Sequence, residues 1–168
     1  MKNRTLYHWT IKDKLRYLIS LIPFIIAFIG TLLLLSTISI YLISLFLFFY
    51  LLINVFQAGC CIGCPYRGKY CPAFFGVYLG NILSNQLYKN KTFDQKFHEK
   101  NAKLGEIFCL ILVVFPLYWL FTIGWFYPII FLFLIGLHVI LFLPLQCPKC
   151  SYNEICPGGK AYSKLFKK

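Results

Sequence analysis

The chain has 168 residues, of which 60% are hydrophobic and only 13% are charged. A soluble domain is closer to half apolar and a quarter charged, so this composition excludes both an ordinary globular protein and a disordered chain. The net charge of +12 and the eight cysteines leave two classes, a membrane protein with a cysteine site or a secreted disulfide scaffold.

Two long charge-free runs decide between these classes. No Asp, Glu, Lys or Arg occurs between Arg16 and Arg67, and a second run from Ile107 to Gln146 is interrupted only by His138. The apolar part of the first run, residues 17–56, and the whole second run are each about 40 residues long. A helix needs about 20 residues to cross a bilayer, so each run predicts two spans joined by a turn. The predicted transmembrane helices cover roughly residues 17–35, 38–57, 107–123 and 127–146.

The predicted fold is an all-α integral membrane protein with four transmembrane helices in two tandem hairpins, each followed by a cytoplasmic cysteine motif. We place the second turn near Gly124 and Pro128, which are natural helix breakers. The first turn is placed near Ser36 and Thr37, with Gly30 as the alternative. The chain then divides into 1–58 (N-terminal segment and first hairpin), 59–104 (first cysteine motif and basic loop), 105–146 (second hairpin) and 147–168 (second cysteine motif).

The basic residues lie in three parts of the chain: the N-terminal segment, the loop between the hairpins and the C-terminal tail. These parts hold five, seven and five of the 17 Lys and Arg residues, and the hairpin turns hold none. Because basic residues bias loops to the cytoplasmic side, we expect a multi-pass protein of the cell membrane with both termini in the cytoplasm. The apolar runs are too long for a signal peptide, and the cations flank spans, so neither secretion nor nucleic-acid binding is expected.

Seven of the eight cysteines fall in the predicted cytoplasmic segments. Thiols stay reduced there, and closely spaced reduced cysteines usually bind a metal or carry out redox chemistry. Each of two clusters has a C-x-x-C pair followed by Cys-Pro and comes directly after a predicted hairpin, which indicates an internal repeat with parallel orientation. The predicted metal ligands are Cys60, Cys61, Cys64, Cys71, Cys147, Cys150 and Cys156.

Two kinds of metal centre suit this spacing. Two thiolates from each cluster complete a tetrahedral site for zinc or a single iron. Three cysteines from one cluster and one from the other hold a four-iron cluster, and Cys followed by Pro is typical of iron–sulfur loops. Two four-iron clusters need eight cysteines and only seven are well placed, so Cys109 would be the eighth ligand or one cluster would take a ligand of another kind. One cluster, two clusters and a single metal ion all stay open.

The stretch Cys60-x-x-x-Cys64-Pro65, with a glycine soon after it, resembles the C-x-x-x-C-P signature of NapH/NosR-type membrane iron–sulfur proteins. The resemblance implies four or more spans, 4Fe–4S motifs at the cytoplasmic face, and electron transfer between quinols and a redox partner. This chain departs from the family in two ways. It has no ferredoxin-type C-x-x-C-x-x-C-x-x-x-C-P run, and its second cluster, Cys147 to Cys156, lacks the C-x-x-x-C-P form.

Some residues in and near the spans have competing interpretations. His138 lies in the middle of a span, where an ionisable side chain predicts either a quinone contact or a hydrogen bond to a neighbouring helix. Cys109 is expected to be a small buried apolar residue, and Glu106 to cap the start of the third span. These two share a helix face, so bordering the cysteine site is the alternative. Segment 86–104 mixes apolar residues with Lys and predicts an amphipathic helix on the membrane surface.

Three functions are consistent with this sequence. The first is electron transfer through one or two iron–sulfur clusters, with a quinone, a cytoplasmic redox partner or a larger membrane complex as partner. The second is a non-enzymatic scaffold or complex subunit in which zinc joins the hairpins. The third is a thiol–disulfide and quinone oxidoreductase, resembling the four-helix enzymes of the DsbB and vitamin K epoxide reductase kind. Their working cysteines face the oxidising side, opposite to the side predicted here.

Overall fold

The chain folds into helices joined by short turns, as a computed structural model shows for residues 6–76, 78–151, 153, 154 and 156–166. No β-strand occurs among these described residues. The predicted basic termini lie partly outside them, at Lys2, Arg4, Lys167 and Lys168. The helices are α1 Ile11–Ser36, α2 Ile40–Cys60, α3 Tyr78–Leu87, α4 Gln95–Ile123, α5 Tyr127–Gln146 and α6 Pro157–Phe166.

Helices α1, α2, α4 and α5 are each long and apolar enough to cross a membrane. The mean hydropathy of their most apolar segments lies between 2.1 and 2.7. Their outer faces carry exposed apolar side chains, which include Leu33, Leu51, Leu110 and Phe133. Such faces are consistent with lipid contact and not with water. The predicted all-helical class, with four helices long and apolar enough to cross a membrane, is confirmed for the described residues.

Both predicted turns between spans lie where the sequence placed them. α1 ends at Ser36, so Gly30 lies inside the helix, and Ser39 caps the start of α2 by accepting the Tyr41 N–H. α4 ends at Ile123, the extended Gly124 follows it, and Pro128 occupies the first turn of α5. Proline is tolerated there because the first helical N–H groups have no intrahelical acceptor.

The start of the third span differs from the prediction. α4 begins at Gln95 and not near residue 107, because the Asp94 side chain accepts the Lys96 N–H and caps the helix there. Glu106 therefore lies well inside the helix, and its predicted capping role is wrong. Segment 86–104 is likewise not one amphipathic helix, since α3 ends at Leu87 and a turn separates it from α4.

The largest contacts between the four spans join helices that are not neighbours in the sequence. α2 packs mainly on α4 and α1 mainly on α5, whereas sequence neighbours α1 and α2 share a smaller interface. A glycine permits the first of these contacts, because a Cβ at Gly59 would overlap the Asn101 side chain of α4. Phe24, Phe46 and Leu112 belong to the apolar core between the spans. The arrangement as two tandem hairpins stays a prediction.

Candidate functional site

A cavity of about 400 Å³ lies at the end of the bundle where α2 and α5 finish. Its volume falls in the range of about 300–1,000 Å³ that is usual for small ligands and cofactors. Residues of α2, α4, α5, α6 and both cysteine motifs line it. The lining includes six cysteines: Cys60, Cys71, Cys109, Cys147, Cys150 and Cys156.

Five of the seven predicted ligands therefore meet at one cavity, although they come from motifs far apart in the sequence. The other two, Cys61 and Cys64, are not among the described residues that line it. No disulfide joins any of the eight cysteines, all of which the structure describes. Within the described ranges, no three His, Cys, Asp or Glu side chains form a group that could hold a metal ion. The thiols of the cavity thus surround an open space and do not converge on one position where a single ion could bind.

Burial favours the neutral form of the Cys61 and Cys71 thiols. Burial raises the pKa of Cys71 well above its ordinary value and that of Cys61 to about 12. Neighbouring thiols raise the pKa of Cys71 further, because a thiolate there would face other thiolates. These neighbours come from both motifs, and they are Cys61, Cys64, Cys150 and Cys156.

Backbone N–H groups point at two of the sulfur atoms. The N–H groups of Gly158 and Gly159, in the first turn of α6, donate to Cys156 Sγ and oppose the rise in its pKa. The N–H of Tyr66 does the same for Cys64. Donors of this kind favour the thiolate, which is the form that binds metals.

A hydrogen-bond network holds the two cysteine motifs together. Tyr66, which is 2% exposed, belongs to the first motif, and its hydroxyl lies 3.1 Å from the Ser151 hydroxyl of the second motif. The Tyr7 N–H donates to Ser151 Oγ at 3.0 Å, and the Tyr7 carbonyl lies 3.3 Å from the Tyr66 hydroxyl. The N-terminal segment therefore connects both motifs at one end of the bundle.

An ion pair fastens the second motif to the start of α1. Asp13 pairs with Lys149, which lies between Cys147 and Cys150. The same carboxylate accepts hydrogen bonds from the Tyr7 hydroxyl at 2.8 Å and the Thr10 hydroxyl at 2.7 Å. Because the Asp13 side chain is only 4% exposed, this pair is shielded from solvent on one side.

His138 is fully buried, and both of its ring nitrogens have backbone partners. Nδ1 lies 2.6 Å from the carbonyl of Ser20 in α1, and the Phe75 N–H donates to Nε2 at 3.4 Å. The ring stacks on Phe74, which lines the cavity, while His138 is not among the lining residues. The hydrogen-bonding interpretation fits this geometry, and the quinone contact stays a prediction.

Phe75 adopts a left-handed backbone conformation with φ of +53°, which is unusual for a residue other than glycine. Two side chains hold it: His138 accepts its N–H, and the Tyr50 hydroxyl lies 3.4 Å from its carbonyl and 3.2 Å from that of Gly76. This turn closes the first cysteine motif four residues after Cys71. It therefore sets the direction in which the chain leaves the cavity.

The lining also contains polar residues that sequence reasoning missed. Gln57, Asn101 and Gln146 are among the lining residues. Gln146 is 2% exposed, and its Nε2 donates to the Asp13 carbonyl of α1 at 3.5 Å. Its Oε1 has no hydrogen-bond partner among the residues that the structure describes. Each of these residues lies in a long helix, one to several residues from a cysteine or from the end of a span. That position is the only feature of the sequence that could have marked them as lining residues.

Comparison of the chain with protein-family models, with curated proteins and with solved structures finds no match. These comparisons do not show the resemblance to NapH/NosR-type proteins, which stays an expectation from the sequence.

Proposed function

We propose that this membrane protein binds an iron–sulfur cluster, of the 4Fe–4S type, in the cysteine-lined cavity and transfers electrons through it. One observation carries the proposal: five cysteines of two distant motifs line the same cavity. A chance distribution of apolar cysteines would scatter them over the core. The burial of these thiols also fits the proposal, because a bound metal replaces their protons and removes the need to bury free thiolates.

The size of the cavity is our reason to propose a cluster and not a single ion. Around a tetrahedral zinc ion with Zn–S bonds of about 2.3 Å, the four sulfur atoms lie roughly 3.8 Å apart. In a four-iron cluster each thiolate binds a different iron atom, so the ligands form a wider ring. A cavity of about 400 Å³ that is bordered by thiols from both motifs has room for the second arrangement.

An electron-transfer role follows from the chemistry of such a cluster, which accepts and returns one electron. Phe74, Phe142 and Leu143 form an apolar part of the cavity lining. A low-dielectric wall of this kind tunes the reduction potential of a cluster. The partner would be a quinone in the bilayer, a cytoplasmic redox protein or another subunit of a larger complex, as the NapH/NosR resemblance implies.

The metal content of the full-length protein, purified without oxygen, tests this proposal. We expect iron with a matching amount of acid-labile sulfide and a visible absorption band that bleaches on reduction. Cys71→Ala and Cys150→Ala should each lower the iron content, whereas Ser44→Ala, on an exposed face of α2, should leave it unchanged. Zinc without sulfide would instead support the scaffold, and metal-free protein with cycling thiols would support the oxidoreductase.

We further propose that the cavity faces the cytoplasm, because the loops at that end carry the basic residues. Alkaline phosphatase, which is active only outside the cytoplasm, tests this orientation. A fusion after Lys168 should be inactive, and a fusion at the turn after Ile123 should be active. The reverse pattern would place the thiols on the oxidising side and favour the oxidoreductase.

A further inference from the structure

One exposed face of α4 changes from basic to apolar along the helix. At 3.6 residues per turn, eight exposed residues lie within about 40° of one line along the helix surface. In chain order they are Lys96, Lys100, Lys103, Ile107, Leu110, Val114, Tyr118 and Phe121. The five residues after the lysines are each more than half exposed. Buried residues such as Asn101 and Leu112 lie on the opposite side of α4, so this face points away from the bundle.

The change from lysine to apolar residues occurs at the level where the neighbouring helix α2 also becomes polar. Phe56 of α2 stacks on Phe108 of α4 at 5.2 Å, and Gln57 is the next residue of α2. Lys103 lies about 6 Å before Ile107 along α4, and the other two lysines lie about one and two turns further out. The headgroup layer on each side of a bilayer is roughly 5–8 Å thick. The three lysines therefore lie at and just outside the headgroup layer, on the side of α4 that faces lipid.

The charge and the apolar residues of this face match a lipid with a negative headgroup. Among the described residues, none of the three lysines forms an ion pair. Glu99, which lies to one side of them, accepts a hydrogen bond from Gln95 at 3.0 Å. Lysines that served orientation alone would not need to share one helix face, because that bias depends on the number of charges in a loop. An acidic protein segment would match the lysines, but acyl chains are what match Ile107 and Leu110 directly below them.

We propose that this face of α4 is a binding site for an anionic phospholipid. The headgroup contacts the side chains of Lys96, Lys100 and Lys103, and the acyl chains lie along Ile107 and the apolar residues that follow it. The site selects lipids by the charge of the headgroup, because the apolar part of the face contacts any acyl chain alike. None of the eight residues of this face lines the cavity, so the lipid binds whatever the cavity holds.

Native mass spectrometry of the full-length protein in detergent, with equal amounts of phosphatidylglycerol and phosphatidylcholine added, tests this site. The wild-type protein should retain more phosphatidylglycerol, and the excess should fall as salt is added. Replacement of all three lysines of α4 by Gln should weaken phosphatidylglycerol binding at least fivefold, which is about the contribution of one lysine near an anionic surface. Replacement of the same three lysines by Arg keeps the charge and should preserve binding. The matched control replaces three exposed lysines outside α4 by Gln and should keep the preference: Lys12, Lys89 and Lys164.

Three results would overturn the lipid site. The first is a wild-type protein that retains both lipids equally, and the second is a Gln variant of α4 that binds phosphatidylglycerol as tightly as wild type. In the second case, loss of an acidic protein that co-purifies with wild type would assign the face to a protein partner. The third is an equal loss in the α4 variant and the control, which would mean that only net charge matters. If the triple variant fails to fold, as size-exclusion profiles would show, Lys103→Gln alone should weaken phosphatidylglycerol binding and decides.

Discussion

The buried histidine in α5 offers the sharpest test of how the site is positioned. Replacement of His138 by Phe keeps an aromatic ring to stack on Phe74 but removes both ring nitrogens. The carbonyl of Ser20 then loses its contact with Nδ1, and the N–H of Phe75 loses its acceptor. The turn after the first cysteine motif is thereby released from α1 and α5.

The expected loss in the free energy of unfolding follows from the two hydrogen bonds of the ring and from the strained Phe75 backbone that they hold in place. A hydrogen bond contributes about 0.5–1.5 kcal/mol in water and about 0.6 kcal/mol on average in a membrane protein. A buried N–H left without an acceptor costs about 1–3 kcal/mol. Because Phe75 also holds a left-handed backbone conformation, that cost is not relieved by a small local shift. We expect a loss of about 2 kcal/mol in the free energy of unfolding.

The assay is reversible unfolding of purified protein by SDS in mixed micelles, followed by circular dichroism. Tyr50→Phe removes the other side chain that holds the same turn and should cost about 1 kcal/mol. The double variant should lose less than the sum, since both residues support one turn. Phe133→Leu, on the exposed face of α5, is the matched control and should change little.

A His138→Phe variant within about 0.5 kcal/mol of wild type would refute this reasoning, because surface-like substitutions produce changes of that size. It would mean that the ring contributes through packing alone. A variant of normal stability that had lost electron exchange with a quinone would favour the direct contact instead.

Two further substitutions test the contacts around the second motif. Asp13→Asn keeps the size of the side chain but removes the charge that pairs with Lys149, so we expect a lower free energy of unfolding in SDS than for wild type. Additive losses in a double-mutant cycle with Lys149→Met would contradict a direct pair. Gly159→Ala should lower iron content, because its Cβ would overlap the Asn153 backbone next to the Cys156 loop. Gly136→Ala meets open space and should leave iron unchanged; equal iron in both variants would contradict this placement.

The sequence predicted the spans because hydropathy and charge act over whole helices. A long charge-free run has few possible structures in a bilayer other than transmembrane helices. Gly124 and Pro128 break the second run at a defined place. The start of α4 was missed for a related reason. Its first turns carry Lys96, Lys100 and Lys103, so hydropathy marks the membrane boundary near Ile107 and not the helix start. The local signal was the capping side chain of Asp94.

The partners of each residue could not be predicted because they depend on how the spans cross. The helical period shows that Glu106 and Cys109 share a helix face. The local sequence is the same whether that face is turned towards lipid or towards a cavity. The packing of α2 on α4 turns that face inward, and the small Gly59 permits the approach. His138 likewise has the same neighbours in the sequence whether it binds a ligand or the backbone of another helix.

By itself, the sequence determined the helical membrane class, the number of spans, their turns and the set of thiols available for a site. These properties depend on composition and on interactions between residues near one another in the chain. Only the tertiary structure decided that Cys60, Cys71 and Cys147 line one cavity and that Cys109 lines it as well. The reason is geometric: the rotation and crossing of four apolar helices follow from side-chain packing between distant segments, which no local pattern records.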